Sequence, residues 1–450
     1  MKKRLLATVA GVAMLALATV SGTARAQDWS LEKAASPYKG QQINVLFLDR
    51  PGYRAIEKLL PDFEKRTGIK VSYQVVPYEN THEKQVLNFN SQGELTIALV
   101  DLVWLGEFAE NGWILPVSKF TADPAITDPK LNLPGFFPLL LNAFGTWDGT
   151  VYGLPFDNYS GLLFYNKCQL KDAGFDKPPA TWDELRDVYA PKLTDKSKDH
   201  YAYALQSLRG ETQSADSFMR FLWPWGGSLL NKEFRSNLMA PESQKGLEFR
   251  QSLLPYMPPG IVSYDHAEAV NALAQGKVSM ITEWSAFYPT LTDKATSKIT
   301  DCLGVAPEPA GPAGRLPALG GFSLAVAAQA PEAAQKASWL FIQWATSDEI
   351  ARAYVEAGGV SGRQDIYKQD DIRQKFSFVD PMVESWQKGV PEFRPRFPAW
   401  PAISEIVAEW GSKMELGQVT IPEGSKEIGT RMEAILEKEG YYNGKRKLLQ

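Results

Sequence analysis

Residues 43–76 read INVLFLDRPGYRAIEKLLPDFEKRTGIKVSYQVV, and the changes of period along them decide the fold class. Residues 43–48 form an apolar run broken only by Asn44, and residues 71–76 form a second run rich in valine. Between them Ile56, Leu59, Leu60 and Phe63 stand at i, i+3, i+4 and i+7, which places them on one helical face, with Gly68 as a stop. The stretch reads as strand, helix, strand. Pro61 argues for a kink, because a proline inside a helix removes a hydrogen bond. Residues 96–100 supply a third strand, followed by a short helix over 104–110 with Gly112 beyond it. Strands alternating with helices in this way predict a parallel α/β lobe.

Working outward, the pattern recurs after Val151. Residues 161–165 read as a strand, and Thr181 with Glu184 three residues later opens a helix as a capping box. Asp265 and Glu268 form a second such box ahead of a helix ending at Gly276, and residues 278–281 then read as a strand. Residues 304–317 hold four prolines and three glycines, a loop, before an apolar strand over 322–327. The remainder is helical. Ala334, Ala337, Phe341 and Trp344 share a face, Ser347 caps the next helix, and two late amphipathic helices carry Ile403, Ile406, Trp410, Met414 and then Ile428, Met432, Ile435.

The chain of 450 residues carries 48 basic and 52 acidic side chains and 12% aromatics. That length accommodates about two to four domains, and the aromatic content argues against wholesale disorder. With no Lys/Arg-rich run, nothing favours a nucleic-acid partner. Met1-Lys2-Lys3-Arg4, an apolar run to Val20 and the site Ala24-Arg25-Ala26 read as a secretory signal peptide over residues 1–26. Its removal leaves 44 basic against 52 acidic residues, a net charge of −8. No cysteine stands directly after the cleavage site, so a free, unlipidated product is expected. Cys168 and Cys302, the only cysteines, either form one disulfide in an oxidising compartment or stay as two buried thiols.

His82, His200 and His266 lack metal-type neighbours, and no nucleophile elbow, dinucleotide or P-loop pattern occurs. Neither a metal nor a cofactor is expected. Polar and aromatic residues instead collect after predicted strands, where open α/β sheets place ligands. Asp49 and Arg50 follow the first strand, Tyr78 and Glu79 the second, Asp101 and Trp104 the third. Asp157 and Asn158 lie at the passage into the second α/β unit, Trp223 and Trp225 within it, and Glu283 and Trp284 after a later strand. Sugars, with apolar C–H faces and hydroxyl edges, are held by such stacking rings and carboxylates. The same residues have plainer roles open to them: Asp101 as a helix cap, Trp104 as core, Arg50, Arg54 and Arg363 as partners of surface acids. Two of the acids could also serve a glycosidase.

Six segments, 59–71 (LLPDFEKRTGIKV), 100–116 (VDLVWLGEFAENGWILP), 152–167 (YGLPFDNYSGLLFYNK), 181–185 (TWDEL), 274–284 (AQGKVSMITEW) and 319–326 (LGGFSLAV), occur in the order found in family 1 extracellular solute-binding proteins. The chain resembles these maltose-binding-protein-like components of bacterial ABC importers over nearly all of its mature length. The resemblance implies a two-lobed α/β periplasmic-binding-protein fold, each lobe a mostly parallel sheet flanked by helices, with the ligand cleft between lobes. Lobe one would span 41–153 and 316–358, lobe two 154–315 and 359–450. It further implies a periplasmic monomer without catalysis that binds a carbohydrate or polyol and delivers it to an inner-membrane permease. Carried over residue by residue, the cleft would use Asp49, Tyr78, Asp101, Trp104, Asp157, Asn158, Trp225, Trp284, Gly321, Phe322 and Arg363. Asp49 and Asp101 would accept hydroxyl hydrogen bonds and Trp225 and Trp284 would form a stacking wall. This chain has Phe322 where tryptophan is frequent after the paired glycines. A phosphorylated or sulfonated polyol, a polyamine or peptide, and a secreted carbohydrate-active enzyme are the alternatives.

Overall fold

A computed structural model describes residues 29–91 and 93–449; the leader and its cleavage site lie outside the described residues. The chain folds into two α/β lobes. The first opens with β1 (Gln42–Leu48), α1 (Pro51–Thr67) and β2 (Lys70–Val76), β1 and β2 pairing parallel in register from Gln42 opposite Lys70. It continues with α2 (Tyr78–Asn90), β3 (Ile97–Asp101) and α3 (Leu105–Glu110). Helix α1 continues through Pro61. The proline is exposed, so the carbonyl it leaves unbonded meets solvent, while Tyr53, Ile56, Leu60 and Phe63 bury the opposite face. Gly68 closes the helix at φ +71°, a left-handed conformation suited to glycine.

Strand β4 (Gly153–Asn166) is 14 residues long. At about 3.3 Å per residue it reaches about 45 Å, enough to pass from one lobe into the other. The second lobe adds β5 (Tyr201–Ala204), α4 (His266–Ala274), β6 (Val278–Trp284) and β7 (Leu303–Pro307). Both expected capping boxes, at Thr181/Glu184 and Asp265/Glu268, are formed. The chain returns to lobe one through β8 (Leu319–Val326), α5 (Glu332–Ala345) and α6 (Asp348–Glu356), and ends with α7 (Val379–Lys388), α8 (Trp400–Glu415) and α9 (Ile421–Lys438).

The main sheet has the order β3-β8-β4-β6-β5, with β7 also paired to β4. Among the named strands parallel pairing joins β1 to β2 and β5 to β6, less than the sequence leads one to expect, because β4 and β8 cross between lobes in opposite directions and pair antiparallel. In lobe one α1 packs on α5 through Phe63, whose ring lies 5.2 Å from Phe341 and 5.0 Å from Trp344. In lobe two Trp182 packs on Phe221 and Tyr203, and a disulfide joins Cys168, after β4, to Cys302, before β7. Among the described residues no helix is long and apolar enough to cross a membrane.

Candidate functional site

Between the lobes lies a cavity of about 460 Å³. Tyr78, Glu79, His82 and Trp104 line it from lobe one, and residues 208–213 with Asp265, Trp400 and Ser404 line it from the other side. Tyr78 stands at the start of α2, directly after β2, and Asp101 is the last residue of β3, so both occupy the carboxyl ends of strands. Their rings and charges interlock. Tyr78 stacks on Trp104 at 5.2 Å, and its hydroxyl lies 2.8 Å from Asp101 Oδ2 and 2.6 Å from Glu211 Oε2. One hydroxyl carries one proton, so it donates to only one of these carboxylates at a time.

Arg394 joins the same two acids. Its Nη2 donates to Asp101 Oδ1 at 2.6 Å and its Nη1 to Glu211 Oε1 at 3.1 Å, while Trp400 Nε1 also donates to Glu211 Oε1 at 3.2 Å. Asp101 comes from lobe one and Glu211 from lobe two, so the guanidinium ties the lobes together. Burial pushes the Asp101 carboxyl above its ordinary value, and the Arg394 charge opposes that rise. Tyr78 is pushed well above its usual range by burial and by the two acids. Among the described residues no cluster of metal-ligating side chains occurs.

Nearby, Arg50 lies over the rings of Tyr78 and Tyr159, 5.6 and 5.9 Å from their centroids. Behind it Asp157 sits in a bulge: Gly321 opposes Asn158 and Phe322 opposes Phe156, leaving Asp157 as the extra residue at φ +52°. Its carboxylate accepts from the Tyr159 hydroxyl, from the Tyr354 hydroxyl at 2.8 Å and from the Val360 N–H at 3.2 Å. Burial nonetheless pushes its carboxyl up. Asn158 donates from Nδ2 to the Phe322 carbonyl at 3.1 Å and its backbone N–H bonds Val360. These contacts knit β4 and β8 to residues 358–363. Phe322 is buried with edge contacts to Tyr53, Tyr78 and Tyr159. Gly321, at φ +123°, lets the strands approach where a Cβ would come within 2.5 Å of Asn158 Cα.

The structure thus gathers Tyr78, Glu79 and Trp104 at the cavity, with Asp101 buried beside it and bonded to Tyr78, and places other sequence candidates elsewhere. Asp49 is exposed and pairs with Arg54. Trp225 packs on Phe249 at 4.5 Å inside lobe two, and the Trp223 indole N–H bonds the Phe393 carbonyl at 3.1 Å. Glu283 is buried, 2.7 Å from His266 Nδ1. Trp284 is buried with the Arg220 guanidinium 4.8 Å over its ring. Arg363 donates to the carbonyls of Thr346 and Asn132, each at 2.6 Å, and covers the Phe136 ring.

Glu211 and Trp400 line the cavity, and Arg394 is bonded behind it; sequence reasoning passes over all three. Glu211 follows β5, four residues whose period is unreadable at that length. Arg394 carried a signal: in PEFRPRFPAW, residues 391–400, prolines at 391, 395 and 398 exclude a regular helix and mark an extended segment bearing two arginines.

The family model for the bacterial extracellular solute-binding protein matches residues 49–352. The solved ABC transporter solute-binding protein of Agrobacterium radiobacter K84 in complex with ribitol is similar to this chain with a TM-score of 0.81 and 25% identity, covering 88% of this chain and 99% of that one. An erythritol/L-threitol-binding protein of Mycolicibacterium smegmatis is 24% identical over 335 residues, 71% of this chain and 69% of its own length. A periplasmic-binding protein of Sinorhizobium fredii, named for a probable amino-acid ABC transporter, is 24% identical over 435 residues, covering 93% and 96%.

Proposed function

Because the chain belongs to the bacterial extracellular solute-binding proteins, we propose that its interlobe cavity holds a carbohydrate or polyol and passes it to the permease of an ABC importer. Proteins of this family bind solutes and are not enzymes. The observation that carries the ligand class is the convergence of Asp101 and Glu211, from opposite lobes, beside the stacked Tyr78 and Trp104. Carboxylates accept hydroxyl hydrogen bonds, and flat rings cover the C–H faces of a sugar or polyol. The names of the ribitol- and erythritol-binding relatives point the same way.

We assign residues 41–153 and 316–358 to lobe one and 154–315 with 359–450 to lobe two, an assignment supported by the passage of β4 and β8 between them. Ligand contact in this reading comes from Tyr78, Glu79, Asp101, Trp104, Glu211 and Trp400, with Arg50 beside them. Asp157, Asn158, Gly321 and Phe322 shape the hinge. A solute touching both lobes favours the closed form, and the permease reads that closure. The exported, unlipidated product expected from the leader and the monomer implied by the resemblance fit this role.

A thermal-shift screen of the mature protein tests the reading. At a hundredfold excess over Kd, a ligand adds about 2.7 kcal/mol, which raises Tm by roughly 3 °C for a chain of this size. A shift from neutral sugars or polyols is expected. A shift only from sugar phosphates would move the ligand contacts to Arg50, and one only from amino acids or polyamines would discard the carbohydrate assignment.

A further inference from the structure

Charge around the interlobe cavity does not balance. Asp101 and Glu211 share one guanidinium, with Arg394 Nη2 at 2.6 Å from the first and Nη1 at 3.1 Å from the second. The Tyr78 hydroxyl between them donates a hydrogen bond and brings no charge. The Asp101 and Arg394 side chains are 2% exposed and that of Glu211 is 15% exposed, so water does little to screen the surplus. Arg50, over the Tyr78 ring, is no remedy, because it already acts on Asp157. Deeper in lobe two, Asp216 and Glu308 likewise share Arg220. Each trio, with its carboxyls ionised, carries one negative charge too many.

Glu211 is the member of the first trio that lines the cavity, and the wall around it repeats the sign. Glu79, Asp265 and Glu405 line it too, against the guanidinium of Arg209. His82, one turn beyond Tyr78 on α2, also faces the cavity. Its Nε2 lies 2.6 Å from Glu107 Oε2. An ionised carboxylate only accepts, so Nε2 carries the proton and Nδ1 of the neutral ring is one more acceptor. The ring faces of Tyr78, Trp104 and Trp400 complete the wall, and such faces attract cations. A neutral solute leaves the surplus in place, a phosphate adds to it, and an ammonium group cancels it. We infer that the solute is a polyhydroxy compound bearing an ammonium group, an amino sugar or amino polyol, held against the carboxylates of Glu211 and Glu79. This inference rests on the cavity being the carbohydrate site and adds a positive charge to the ligand.

Calorimetric titration of the full mature protein tests it with matched compounds: D-glucose, D-glucosamine and N-acetyl-D-glucosamine, D-glucitol and 1-amino-1-deoxy-D-glucitol, and putrescine, at a pH that keeps the amines charged. Glu79→Gln removes a charge at an exposed position of the wall. At least one amine is expected to bind about tenfold more tightly than its uncharged counterparts. That advantage should shrink in Glu79→Gln, with the uncharged counterparts within twofold of their wild-type affinity. It should shrink again as salt rises from about 0.1 M to about 1 M and the Debye length shortens from about 10 to about 3 Å. Amines within twofold of bound neutral counterparts, or an amine advantage that neither Glu79→Gln nor salt reduces, would overturn the inference and leave the cavity assignment standing. Binding of putrescine alone, or of none of the compounds, would overturn the carbohydrate reading and the inference with it.

Discussion

Asp101 and Arg394 are each 2% exposed at the side chain and 2.6 Å apart. Taking one ion from such a pair strands the other in a medium that solvates it poorly, a loss of about 3–5 kcal/mol. Arg394→Ala is therefore expected to lower the urea-unfolding free energy by that amount, and Asp101→Asn to weaken solute binding as well. Asp157 gives a pH prediction. Its folded pKa lies above the ordinary 3.8 because burial outweighs the hydrogen bonds it accepts. A carboxyl raised in this way contributes stability that is present below 3.8 and lost as pH climbs through the folded value. The amide introduced by Asp157→Asn does not titrate, so the gap in Tm by which wild type exceeds the variant should narrow as pH rises from about 4 to about 8. Gly52 is the fourth sensitive residue. A Cβ there would sit 2.0 Å from Asp157 Oδ1, so Gly52→Ala should cost about 1–3 kcal/mol of stability by forcing the carboxylate or the start of α1 aside.

At the level of elements, the disulfide ties the chain following β4 to the turn before β7 across a sequence separation of 134. Closing a loop of that length in the unfolded chain is worth about 5 kcal/mol in the chain-entropy model. Reduction, or the paired change Cys168→Ser and Cys302→Ser, should lower Tm, and a scan in dithiothreitol reads this directly. The elements most legible in the sequence were those with full periodicity or a side-chain cap: α1, with Ile56, Leu60 and Phe63 on its buried face, the helices opened by Thr181 and Asp265, and α5 with Phe341 and Trp344. The crossing strand was harder. Its half over residues 161–165 reads as a strand, but residues 153–160 are buried on both faces and contain a proline and the bulge at Asp157, so no alternation marks them.

For the whole molecule, side-chain bonds bridge the two lobes at the cleft. Tyr78 and Arg394 link Asp101 to Glu211 across it, and Arg446 and Lys447 beyond α9 pair with Glu110 and Asp148 of lobe one. Glu211→Ala removes the lobe-two end of the Arg394 bridge and one acceptor of Tyr78. Small-angle scattering should then give a larger radius of gyration for the unliganded variant than for wild type, with saturating solute restoring compactness only partly. An unchanged radius would mean that residues 358–363 and the C-terminal pairs set closure without the bridge.

The amino-acid sequence by itself determined the α/β class, the two lobes and the strand-end positions of Tyr78, Asp101 and Trp104, because hydrophobic period and strand-to-helix order are local properties. It left open whether Cys168 and Cys302 meet. Only the tertiary structure decided that they do, that Trp225, Trp284 and Arg363 are spent on internal packing, and that Glu211 lines the cavity with Arg394 bonded behind it. Those outcomes turn on side chains 110 and 293 positions from Asp101, and contacts over such distances are set by how the lobes pack, which no local pattern encodes.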